Sequence, residues 1–233
     1  MAIDCRVKEG GFLDNLWLHR LQLFGDRLKQ QGVLWSLLFY CRRIYKLVYG
    51  FIIFGRRDIN IVPGARLGGV DCMRIGHGFS AGRGLWLEAV KDYSVAGQLF
   101  YPELIIGKRV SVGEYVHIGC NHRIVIGDDV LMGSKIYITD HNHGVYRGDN
   151  ADSPAIPPAD RRLTEGERVE IGARCWIGEF VTILPGVTIG EGCIIGSHST
   201  VTHDIPANSI AVGSPARVVK VWDEEASVWR KVC

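Results

Sequence analysis

From Ile171 to Ile205 an aliphatic residue recurs every six positions: Ile171, Ile177, Ile183, Ile189, Ile195 and Val201. Glycine follows most of them, at Gly172, Gly178, Gly190 and Gly196, and four positions after each lies Cys175, Val181, Val187, Cys193, Ser199 or Ile205. A helix needs apolar residues at intervals of three and four, and a half-buried strand at intervals of two, so a strict six fits neither. It fits a solenoid of hexapeptide repeats, in which each repeat forms one short side of a coil, the aliphatic points inward and the glycine permits a tight corner. If the coil is triangular, eighteen residues complete a turn, and Ile177 stacks on Ile195, and Cys175 on Cys193, at the interstrand spacing of ~4.8 Å.

Upstream the same period is present but broken. Ile75, Ala81 and Leu87 keep it, a loop from Val90 to Glu103 interrupts it, and Ile106, Val112 and Ile118 restore it. Ile126 then comes eight residues on instead of six, so Cys120-Asn121-His122-Arg123 must bulge at a corner. Met132 and Ile138 resume the six, which stops at Asp140. Between Asp140 and Arg168 the composition turns to glycine, proline and charge, and a structureless loop of that length is usually functional. Beyond the coil, Asp223 is expected to cap a short final helix.

Phe12 to Phe54 is expected to be helical, with a break near Gln31-Gly32. The second helix is apolar around most of its circumference, with Arg42, Arg43 and Lys46 on one side beside Trp35 and Phe39. Those cations oppose a span, which needs about 20 apolar residues. Two readings remain: a helix packed on the coil or on a neighbouring subunit, and an interfacial helix resting on anionic lipid. The expected organisation is a helical extension over 1–57, a coil over 58–212 with a loop at 140–168, and a strand and short helix over 213–233.

Composition narrows the classes. The chain has 233 residues, 47% hydrophobic and 22% charged, and a net charge of +2, which gives no global field for nucleic acid. Seven cysteines, an odd count without paired spacing, read as reduced thiols of a cytoplasmic protein. The opening MAIDCRVKEGG has no basic start leading into an apolar run, so no secretory leader is expected. Residues 33–54 are the candidate for peripheral contact with the inner face of the membrane.

An axis filled with aliphatics leaves chemistry to the outside of the coil. His117, His122, His141 and His143 gather near the bulge at 120–123 and the loop at 140–168. His141, where the chain leaves the coil, is placed to take a proton from a hydroxyl; the alternative is that it only starts the loop through backbone hydrogen bonds. No Ser or Cys sits in a nucleophile-elbow setting, so direct transfer is the simpler route. Trp176 either walls an acyl group or packs beneath the loop. Glu179 and Ser197 lie one turn apart on an outward face, and Arg217 and Lys220, after Ser214-Pro215-Ala216, can hold phosphate oxygens.

The run VEIGARCWIGEFVTILPGVTIG from Val169, VTHDIP from Val201 and GSPARVVK from Gly213 resemble the hexapeptide-repeat acyltransferases with left-handed β-helices, notably galactoside and maltose O-acetyltransferases. ITDHNHG from Ile138, with the proline-rich loop after it, resembles O-acetyltransferases of lipopolysaccharide and capsule biosynthesis. The resemblance implies an all-β, left-handed parallel coil and a homotrimer with active sites between neighbouring coils. It implies acetyl-CoA as co-substrate and a sugar hydroxyl as acceptor, on a nucleotide-, lipid- or polymer-linked sugar. It further implies His141 as catalytic base, Trp176 as the wall beside the acetyl group, Glu179 and Ser197 along the pantetheine arm, and Thr202, His203, Arg217 and Lys220 near the nucleotide end.

Two departures stand out. His203 replaces the family's usual Lys, and the family's acceptor-binding Asn aligns onto Gly119, leaving Asn121 and His143 as the candidate acceptor contacts. In the implied mechanism His141 deprotonates the hydroxyl, the alkoxide attacks the thioester, and a backbone N–H stabilises the oxyanion. No resident metal is expected. Three alternatives stay open: an N-acetyltransferase acting on an amino-sugar nucleotide, a zinc hydratase like the γ-class carbonic anhydrases using His117 and His122, and a non-catalytic assembly module.

Overall fold

The computed structural model describes the backbone of residues 10–232 and the side chains of residues 32–232. Most of the opening stretch read for a leader, and the side chains of the first expected helix, lie outside the described residues. Helix runs over Gly10–Phe54, interrupted where the sequence placed a break: Gly32 has φ 78° and ψ 166°, a conformation glycine adopts without steric cost. The chain forms two compact units, Met1–Lys46 and Leu47–Cys233. In the first, Val33, Leu34, Trp35, Leu37, Ile44 and Tyr45 are exposed, as are Arg42 and Arg43. Among the described residues no helix is long and apolar enough to cross a membrane.

In the second unit the helix ends against the coil. Tyr49 and Phe54 pack on its core, and Gly50 is pressed so close to Ile59 that a Cβ there would stand 2.2 Å from the Ile59 carbonyl oxygen. The coil itself has three faces, each a parallel sheet. The first is built from Asn60–Ile61, Ser80–Ala81, Ser111–Val112, Leu131–Met132, Trp176–Ile177, Ile194–Ile195 and Ser209–Val212. The second contains Arg66–Gly68, Trp86–Ala89, His117–Cys120, Tyr137–Thr139, Thr182–Ile183 and Thr200–Val201, and the third Met73–Ile75, Glu103–Ile106, Arg123–Ile126, Val169–Ile171 and Thr188–Ile189.

The six-residue period is the register of these sheets. Ile177 pairs with Ile195, Ile183 with Val201 and Ile171 with Ile189, each eighteen residues apart. The slots read from the sequence are all buried, including Cys175 and Cys193 as small apolar fillers. Each fully buried aliphatic contributes about 1.5–3 kcal/mol, which makes this axial column the main source of stability. The broken upstream repeats fall into the same columns: Ile106 pairs with Ile126, Val112 with Met132 and Ile118 with Ile138.

All three interruptions occur on successive turns at one corner, between the second and third faces. The first follows Trp86–Ala89, the bulge follows His117–Cys120, and the long loop follows Tyr137–Thr139. The loop's arms pair with each other, Gly144 N to Arg162 O at 2.7 Å and Thr164 N to Asn142 O at 2.9 Å, and its only helical turn is Pro158–Asp160.

The expected final helix is not there. Arg217–Asp223 runs antiparallel to Ser209–Val212 and then pairs with Val228–Lys231 as a hairpin. Asp223 does cap, but it caps a turn: its Oδ1 accepts from Ala226 N at 2.9 Å. The capping signal of an Asp is shared by helices and turns. The flanking Val and Trp residues decide between them, with Trp222 and Trp229 facing each other across the strands at 5.4 Å.

Candidate active site

The site begins where the second face gives way. Tyr137–Thr139 ends in register with His117–Cys120, and the next residue, Asp140, turns inward at the corner left open by the bulge. Its carboxylate is fully buried, yet well satisfied. Oδ1 accepts from the amide of Asn121, and Oδ2 from the amides of His122 and Arg123, all at 2.9 Å. The two extra residues at 120–123 thus aim three backbone donors at one carboxylate. Burial works to raise the Asp140 carboxyl, but the hydrogen bond with His141 and the amides of Asn121 and His122 outweigh it and hold the group below the usual carboxylate range.

The carboxylate also receives His141, whose Nδ1 lies 2.7 Å from Asp140 Oδ1 with the imidazole 12% exposed. An ionised carboxylate can only accept, so Nδ1 carries a proton, and whenever the imidazole is neutral the lone pair is on Nε2. The backbone of His141 is fixed by Thr139, whose Oγ1 donates to the His141 carbonyl at 3.0 Å. A neutral imidazole with a fixed tautomer, partly shielded from water, is equipped to accept a proton from a substrate hydroxyl.

His141 borders a cleft of about 430 Å³ on the second face. One wall is a ladder of stacked side chains in register: the Arg66 guanidinium lies 3.9 Å over the Trp86 ring, Trp86 stacks on His117 at 3.8 Å and 8°, and Tyr137 follows at 5.2 Å. Burial, together with Arg66 and His141, pulls the His117 imidazole below its ordinary value against the pull of Glu88, which favours its neutral form. The opposite wall comes from the loops. Tyr93 donates to Ala159 O at 2.6 Å and meets His143 edge-on at 5.7 Å, while the Gln98 side-chain amide bonds both ways to the Leu163 backbone at 2.8 and 2.9 Å.

The residues expected from the sequence separate into groups. His143 lines the cleft with His141. Asn121 does not face it: the side chain is buried, and its Nδ2 donates to Thr164 O at 2.9 Å, tying down the loop. Trp176 projects, half-exposed, from the first face, beside Leu131 and Ile194. Glu179 and Ser197 share the corner between the first and second faces one turn apart, joined through His198 N to Glu179 O at 2.9 Å. Arg217 and Lys220 extend the first face on the strand Arg217–Asp223. Thr202 and His203, with Oγ1 and Nδ1 2.7 Å apart, line a second cleft of about 760 Å³ behind the loop. Among the described residues no three His, Cys, Asp or Glu side chains gather as a metal site requires.

Asp140 was missed by the sequence reading, although the eight-residue step to Ile126 marked the bulge that holds it. Trp86, Glu88 and Tyr93 had no sequence signal, since their roles follow from register across turns.

A three-sided coil of hexapeptide repeats thus carries a carboxylate-held imidazole at its broken corner. The family model for the bacterial transferase hexapeptide, six repeats, matches residues 168–203. The chain is 41% identical over 160 residues to the Escherichia coli K12 protein named "Putative lipopolysaccharide biosynthesis O-acetyl transferase WbbJ", covering 68% of this chain and 76% of that protein. It is 34% identical to the galactoside O-acetyltransferase of the same strain, covering 47% of this chain but only 56% of that enzyme. Among solved structures, AntD, an N-acyltransferase from Bacillus cereus in complex with dTDP and 3-hydroxybutyryl-CoA, superposes with a TM-score of 0.58 at 20% identity, covering 72% of this chain and 82% of that one, a likeness of fold. The chain belongs to the hexapeptide-repeat acetyltransferase family.

Proposed function

We propose that the protein transfers the acetyl group of acetyl-CoA to a sugar hydroxyl in the biosynthesis of a surface polysaccharide, lipopolysaccharide O-antigen or capsule, with His141 as general base. The observation that carries this reading is the Asp140–His141 pair, a buried carboxylate fixing Nδ1–H of an imidazole that lines the cleft. The name of the Escherichia coli relative supports the polysaccharide assignment. Transfer is direct: His141 takes the hydroxyl proton as the oxygen attacks the thioester carbonyl, CoA leaves as the thiol, and Asp140 stabilises the imidazolium formed.

The coil is proposed to wind left-handed, as in other hexapeptide acyltransferases, and to form a trimer. Trp176 stands on the first face and His141 at the far edge of the second. That separation supports a cofactor held between two coils, with Glu179, Ser197, Thr202, His203, Arg217 and Lys220 along its length. The exposed apolar and basic side chains at 33–46 support docking on anionic lipid at the cytoplasmic face, where lipid-linked sugars are presented.

The test is acetyl-CoA consumption across a panel of sugar acceptors, with the product read by mass shift. His141→Ala is expected to lower turnover by roughly 10²–10⁴-fold with the fold retained; near-full activity removes the assignment. A mass shift found only on amino groups replaces O-transfer with N-transfer.

A further inference from the structure

Resting on that reading, we infer that the acceptor cleft takes a glycosyl unit without phosphate, that Glu88 selects it through its hydroxyls, and that nucleoside-diphosphate sugars are disfavoured. The floor of the cleft is Gly119. A Cβ built there would lie 3.6 Å from His141 Cε1, 3.8 Å from His117 Nε2 and 3.9 Å from Thr139 Oγ1, so the missing side chain leaves a space ringed by two imidazoles and a hydroxyl. One turn away on the same outward row, Glu88 is paired in register with Gly119. The reacting ring therefore sits between the proton acceptor and a carboxylate.

Apart from the Arg66 guanidinium stacked on Trp86, the charges this chain places around that space have one sign. Glu88 and Asp92 line the cleft and, among the described residues, neither forms a salt bridge. Among the described residues no Lys or Arg lines it; Arg66 lies over the face of Trp86 instead. The imidazole of His117, pulled toward its neutral form, supplies a hydrogen bond and no charge. Diphosphate recognition calls for cations or converging backbone amides, and a carboxylate facing a phosphate repels it. A carboxylate does suit neighbouring sugar hydroxyls, from which its two oxygens accept, and it equally suits a protonated amino substituent. The partners and the charge both point to an uncharged or amino-bearing sugar whose phosphates, if it has any, remain outside the cleft.

The experiment uses the full-length protein, acetyl-CoA, and a panel of common sugars each supplied in two forms, as a methyl glycoside and as its nucleoside diphosphate. The expected result is a kcat/KM at least tenfold higher for the glycoside of the preferred sugar. Glu88→Gln should raise the glycoside KM about tenfold, narrow the preference over the diphosphate form, and leave the acetyl-CoA KM unchanged, a shift of about 1.4 kcal/mol. A nucleotide sugar acetylated as well as its glycoside overturns the inference, and so does failure of every glycoside in the panel. An unchanged preference in Glu88→Gln removes Glu88 from it. Calorimetric CoA binding on the same samples distinguishes the two levels: absence of CoA binding overturns the acetyltransferase reading itself, whereas CoA binding with a diphosphate preference overturns only this one.

Discussion

Replacing Asp140 with Asn separates what the carboxylate does for the fold from what it does for the reaction. The side chain keeps its shape but one oxygen becomes an amide nitrogen. If the remaining oxygen stays on the amides of His122 and Arg123, the new NH₂ points at the Asn121 N–H and at His141 Nδ1. One charge-assisted hydrogen bond becomes a donor–donor contact, and the others lose their charge, which costs about 2–4 kcal/mol. For a chain of this length that lowers Tm by about 4–16 °C. The NH₂ also donates to Nδ1, moving the proton of the neutral imidazole to Nε2, and a base without its lone pair facing substrate loses roughly 10²–10⁴-fold in kcat.

The pH dependence has a definite sign. Because the folded Asp140 titrates below its ordinary value, its ionised form contributes stability above the unfolded value of about 3.9, and that contribution is lost as pH falls through the folded value. The Tm gap between wild type and Asp140→Asn should hold steady from neutral pH down to about 5 and close below about 4. Thermal unfolding across pH, with acetyl-CoA consumption at neutral pH, measures both effects. A variant that keeps more than about a tenth of wild-type kcat at full stability would refute the role given to this carboxylate.

Three further outcomes follow from the geometry. Gly119→Ala places a methyl at ordinary contact distances, so the fold should hold while the acceptor KM rises about tenfold and the acetyl-CoA KM stays put, read by steady-state kinetics. If each site draws its base from one chain and its acyl wall from the next, co-assembling inactive His141→Ala with Trp176→Ala should restore activity to about a quarter of the sites, whereas sites within one chain restore none. Sedimentation with anionic liposomes should carry the protein down at low salt, release it at high salt, and fail for a variant with Arg42, Arg43 and Lys46 replaced by Glu.

The coil was legible because a solenoid writes its register directly into the sequence: a slot such as Ile177 is buried by its own neighbours one turn away, with no distant element required. The broken upstream repeats were legible for the same reason, once Ile118 and Ile126 were seen to be eight apart. What that step was for could not be read. A bulge is visible as a count, but the direction of its amides depends on the turn above it, where Asp140 comes to rest. Asn121 shows the converse: it looked like an acceptor contact beside an imidazole-rich stretch, and it is consumed by Thr164 beneath the loop. The final helix failed at Asp223, where the local signal for a capped turn was genuine and the strands on either side were overlooked.

A coil of this kind has no inherent length, because each winding offers the next a complete row of amides and carbonyls. The hairpin of Arg217–Asp223 and Val228–Lys231 ends that growth on the first face: it reverses chain direction and leaves Arg230 and Lys231 on the outermost strand, where a further parallel winding finds neither register nor neutral ground. Removing it would uncover Ser209–Val212 as a template, and the expected consequence is end-to-end polymerisation into fibres, with the closing segment acting as the stopper that keeps the rod finite.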